Sequence, residues 1–156
     1  MLYLQKIGQQ MITVDHNQHM AEIITKYYFK NFYQAKNLIQ QFPVENLGGG
    51  QKQWDIELFM IDQAISGLQI VAELSNHQYR PIYFNEATSL ALAMPGFTDG
   101  LQLIPLHTCR EVAPEKFEVL TIKKTGLYLD TGKRLYHTKL TPRKQIIIPA
   151  IKIVEK

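Results

Sequence analysis

The segment KQIIIPAIKIVEK, residues 144–156, narrows most what this chain can become. Six bulky aliphatics, Ile146, Ile147, Ile148, Ile151, Ile153 and Val154, crowd around Pro149, a pattern that only a strand buried in a sheet accommodates. Proline cannot donate to a ladder, so Pro149 predicts a bulge or a sheet edge within residues 145–154. An exposed edge of that kind would pair with a second copy of the chain or with a partner.

Further strand patterns accumulate toward the same end of the chain, at residues 101–105, 117–123, 126–130 and 133–139. YRPIYF, residues 79–84, reads as an edge-type strand because of Pro81. In the segment 54–74 a helical seam and a strand pattern compete. Gly67 beside Ser66 weakens a helix centre, which favours two strands, 54–61 and 68–74. The opening LYLQKIGQQMITV alternates as a short hairpin turning at Gly8-Gln9. Asn85 caps a short helix, EATSLALAM, that ends before Pro95-Gly96.

The clearest helical pattern runs from Gln18 to Gln41, with Asp15 and Gln18 forming a capping box and Pro43 as the stop. Met20, Ile23, Ile24, Tyr27, Leu38 and Ile39 fall on one stripe of it. Phe29 and Tyr33 lie on its back, which makes them candidates for a partner interface. The expected fold is α+β: one long N-terminal amphipathic helix packed on a mainly antiparallel sheet, with a strand-rich C-terminal half. At 156 residues with 46% apolar and 20% charged composition, a single globular domain over residues 1–156 suffices. Cys109, the lone cysteine, excludes an intrachain disulfide. With no basic leader and no run long enough to span a bilayer, the expectation is a cytoplasmic protein without a membrane partner.

Charge is unevenly distributed. Residues 1–122 hold 8 Lys and Arg against 12 Asp and Glu, a net −4, whereas residues 123–156 hold 9 against 2, a net +7. Such asymmetry points to an acidic partner, nucleic acid being the commonest, or to a basic end that neutralises an acidic body. Within the basic quarter, GLYLDTGKRLYHTKL reads as a hairpin turning at Asp130-Thr-Gly-Lys. If its leucines face the core, Tyr128, Arg134 and Tyr136 share the outward face. Rings that stack on bases beside cations that hold phosphates are the equipment of nucleic-acid binders. The candidate contact residues are therefore Lys123, Lys124, Tyr128, Lys133, Arg134, Tyr136, Lys139, Arg143 and Lys144.

Chemistry-bearing motifs are sparse. His107 and Cys109, two apart on an extended segment, would point the same way and could form a thiol–imidazole pair. His16, His19 and Glu22 lack the HExxH pattern and read as solvated polar residues at a helix start, so no metal is expected. GGGQK, residues 48–52, lacks the lysine–hydroxyl step of a phosphate loop, and no cofactor motif occurs. The sequence therefore favours a non-enzymatic binding module whose basic C-terminal sheet contacts nucleic acid or an acidic protein. The alternatives are a small cysteine-dependent enzyme using Cys109 and His107, and a structural or inhibitory interaction domain that assembles, as a homo-oligomer or with a partner, through a helix face or an edge strand.

Overall fold

The computed structural model describes residues 1–16, 32–42, 49–93, 101–114, 116–125, 128–135, 139–140 and 146–153. In chain order the elements are β1 (Leu4–Asp15), α1 (Phe32–Gln40), β2 (Gln51–Ile61), β3 (Ile65–Ser66), α2 (Gly67–Asn76), β4 (Tyr79–Pro81), α3 (Phe84–Ala93), β5 (Gln102–Leu103), β6 (Cys109–Ala113), β7 (Lys116–Thr125), β8 (Tyr128–Leu135), β9 (Lys139–Leu140) and β10 (Ile146–Lys152). Eight strands make the main sheet in the order β1-β2-β10-β5-β7-β6, with β4 joined to β10 and β8 to β7. β3 and β9 form a separate two-stranded ladder.

The isoleucine run forms the middle of the sheet, not its edge. On one side of β10, residues Ile148–Ile151 pair antiparallel with β2. On the other side Ile146 and Ile147 run parallel to β5, and Ala150, Ile151 and Lys152 pair antiparallel with β4. Pro149 falls in the break between those last two pairings, where a missing N–H costs the ladder nothing. Every residue from Ile146 to Ile151 is buried.

Alternation sends Ile147 and Ile151 into one apolar cluster with Ala35 and Ile39 of α1 and Phe84, Ala87, Leu90 and Ala91 of α3. It sends Ile146, Ile148 and Ala150 into a second with Ile70 and Leu74 of α2, Ile65 and Leu140. Helices thus cover both faces of the sheet, which explains why β10 needs apolar side chains at both parities. Each fully buried isoleucine contributes about 1.5–3 kcal/mol.

The expected fold class is overturned. The first element is a strand, the sheet is mixed because β5 and β10 run parallel, and among the described residues the three helices are short, at 9, 10 and 10 residues. Of the expected helix 18–41 only Phe32–Gln40 is described as helix, and residues 18–31 lie outside the described residues.

Local readings also change. No hairpin turns at Gly8-Gln9. β1 runs through as one strand of 12 residues, and a shift of register between Lys6 and Gly8 makes a bulge there. The expected strand 68–74 is helix α2, because Gly67 is its first residue and not its centre. Ser66 caps it, accepting from Gln69 N at 3.2 Å while Ser66 N donates to Gln69 Oε1 at 2.9 Å. Asn85 lies inside α3, which starts at Phe84. Among the described residues no helix is long and apolar enough to cross a membrane.

Candidate functional site

Asp130-Thr-Gly-Lys is strand, not turn. Eight consecutive pairs bind β7 to β8, from Glu118↔Leu135 to Thr125↔Tyr128. Facing residues of an antiparallel ladder share a side of the sheet. Leu120↔Lys133 and Ile122↔Thr131 belong to the α1/α3 side, whereas Val119↔Arg134, Thr121↔Gly132 and Lys123↔Asp130 belong to the other. Gln102 of β5, opposite Lys123, joins the second group.

That second face carries a cleft of about 180 Å³ whose lining includes Gln102, Thr121, Lys123, Gly132 and Arg134. Gly132 keeps it open at the floor, since a Cβ there would meet Thr121 Oγ1 at 3.0 Å. Thr131 and Lys133 also border the cleft, although strand alternation assigns them to the opposite face. Thr131 Oγ1 is buried with no hydrogen-bond partner among the described residues.

The cations here differ in what they face. Lys133 Nζ lies 3.4 Å from Glu118 Oε2, and Arg110 Nη2 lies 2.7 Å from Glu118 Oε1. Burial pushes the Glu118 carboxyl up, but hydrogen bonds from Arg110 and Lys133, with their charges, outweigh it and hold the group below its ordinary value. Lys123 stands opposite Asp130 in the ladder and Arg134 opposite Val119. Two cations beside a hydroxyl and a carboxamide are donors suited to a phosphate or carboxylate group.

The remaining expected contact residues divide by location. Lys124 lies on β7, Tyr128 on β8 and Lys139 on β9. Alternation along β8 gives position 128 the same face as Gly132 and Arg134. Tyr136, Arg143, Lys144 and Phe29 lie outside the described residues. Tyr33, on α1, is 78% exposed.

The thiol–imidazole reading loses its geometric premise. Thr108 N donates to Pro105 O at 3.1 Å, so a turn and not an extended segment leads from His107 to Cys109. Burial pushes the half-buried Cys109 thiol up, away from the thiolate a nucleophile requires. The His107 ring packs on Tyr83, with centroids 4.1 Å apart. Burial foremost, reinforced by the Arg80 charge, holds His107 below its usual value against a raising hydrogen bond at Pro81.

Sequence reasoning missed a row of planar side chains at another part of the molecule. Trp54 Nε1 donates to His16 Nε2 at 3.0 Å, and their rings lie 5.9 Å apart. The Arg80 guanidinium sits 5.0 Å from the Trp54 ring and 5.6 Å from the Tyr83 ring, and His107 follows Tyr83. Beneath the row, Glu86 is fully buried and takes Arg80 at 2.9 and 2.8 Å and Tyr83 N at 2.9 Å. Asn85 Nδ2 donates to Asp15 O at 3.0 Å, and Phe84 N donates to Thr108 Oγ1 at 2.8 Å. Five chain segments meet here, with the Arg80–Glu86 ion pair at their junction. The available signal was a glutamate set in the apolar run of α3, six residues after an arginine. No family model, no curated protein and no solved structure matches the chain.

Proposed function

We propose that the chain is a non-enzymatic binding module whose basic β7–β8 face docks on nucleic acid. The observation that carries this reading is the pair Lys123 and Arg134, which border one polar cleft with Gln102 and Thr121. Lys124, Lys139, Arg143 and Lys144 belong to the same basic quarter of the sequence and extend the positive field that would steer a polyanion. A cytoplasmic setting goes with this reading.

The test is binding to duplex DNA and to single-stranded DNA and RNA across a series of salt concentrations. If about four phosphates of a duplex are neutralised, log affinity falls with log salt at a slope of about −3.6. Lys123→Ala with Arg134→Ala should reduce that slope by about 1.8 while leaving thermal unfolding unchanged. No binding to any nucleic acid, or binding indifferent to salt, overturns the proposal. Salt-dependent binding to polyglutamate alone would assign the face to an acidic protein instead.

A further inference from the structure

We propose that His16 is a proton-operated latch that exchanges Trp54 for Glu86. The inference is independent of the nucleic-acid reading and rests on one shared atom. His16 Nε2 lies 3.0 Å from Trp54 Nε1 and 3.8 Å from Glu86 Oε2. An indole N–H can only donate, so Nε2 must present its lone pair and the neutral ring carries its proton on Nδ1. The approach to Glu86 is then proximity and not an ion pair. Adding a proton reverses the assignment: Nε2 becomes a donor, the Trp54 bond is lost, and the Glu86 carboxylate 3.8 Å away can accept from it.

The groups around the ring make this exchange consequential. From β2 comes the Trp54 indole, from β4 the Arg80 guanidinium, and from α3 the Glu86 carboxylate. His107, in the turn before β6, feels the charges of both Arg80 and Glu86, and Asp15, the last residue of β1, precedes His16. With His16 neutral, Arg80 and Glu86 balance. With His16 charged, two cations compete for one fully buried carboxylate, and the side chain of His16 is itself only 2% exposed. Moving the imidazole toward Glu86 pulls on the Arg80 contact that seats Trp54. The end of β1, strand β4 and the start of α3 are therefore coupled through one ring.

Trp54 is the sole tryptophan, so its emission reports the latch directly. Acidification over the range in which far-UV circular dichroism stays constant should give one sigmoidal change in Trp54 emission. His16→Gln, whose amide oxygen can still accept from the indole but does not titrate in this range, should abolish the change, and His107→Gln should retain it. A change that survives His16→Gln, a flat profile in the wild type, or a transition coincident with loss of far-UV signal overturns the proposal. Should His16→Gln not fold, nitrogen-15 NMR of the wild type decides. Protonation on Nδ1 at neutral pH, with the indole N–H shifting in step with the His16 ring nitrogens, supports the latch, and a proton on Nε2 overturns it.

Discussion

The row around Glu86 and the β7–β8 face contain similar residues in different settings. In the row, the arginine meets its carboxylate twice, at 2.9 and 2.8 Å, and the carboxylate has no exposure at all. On the β7–β8 face, Lys123 and Arg134 border an open cleft. Glu118 lies between these extremes, buried at the residue level but bridged by Arg110 and Lys133, whose side chains remain 26% and 48% exposed. The difference teaches that a charge total says little until burial is known. Arg80 is tied to a buried carboxylate, Lys133 to a partly screened one, and Lys123 and Arg134 border the cleft on which the proposed binding rests.

The comparison breaks most clearly at Glu86. Glu86→Gln leaves Arg80 without its counter-charge in a buried setting and should cost about 3–5 kcal/mol in denaturant unfolding. A loss under about 1 kcal/mol would show that the row is no anchor. A smaller effect is expected at Gly132, where Gly132→Ala brings a Cβ to 3.0 Å from Thr121 Oγ1 and should destabilise by about 1–3 kcal/mol through local overpacking. The same change should fill the cleft floor and weaken polyanion binding, so full affinity in that variant would separate the cleft from the binding face.

The smallest effect sharpens the intermediate case. Because the folded Glu118 carboxyl is held below its ordinary value, the stability it contributes is present above the unfolded value and is lost as pH falls through the folded one. Glu118→Gln should therefore cost about 1 kcal/mol or less near neutrality. It should also remove part of the decline in stability on acidification, which unfolding curves compared at neutral pH and in the acid range would register.

Periodicity made some of this legible. Trp54 to Ile61 and Pro81 were readable as a strand and an edge-type strand, and both belong to the sheet, as β2 and β4. The apolar run at 146–151 was readable as a buried strand, but not as the central one. Centrality depends on β4 and β5 stopping on either side of Pro149, a tertiary fact that no local pattern encodes. Asp130-Thr-Gly-Lys has turn composition, yet the ladder with β7 overrides it, since an unbroken register is worth more than a local preference. Ser66-Gly-Leu-Gln was a readable capping box obscured by counting Gly67 as a helix centre. The row of rings was beyond sequence reasoning for a plainer reason. His16, Trp54, the Arg80–Tyr83 stretch and His107 come from four separate segments, and only the folded sheet brings them together.

The position of β10 also bears on synthesis. The strand that joins β2, β4 and β5 is translated after all three. Until it leaves the ribosome, those partners present open backbone edges, and none of the long-range closures that depend on it can form. The nascent chain must therefore wait with its keystone missing, which makes the interval before residue 146 emerges the period in which a chaperone would matter most.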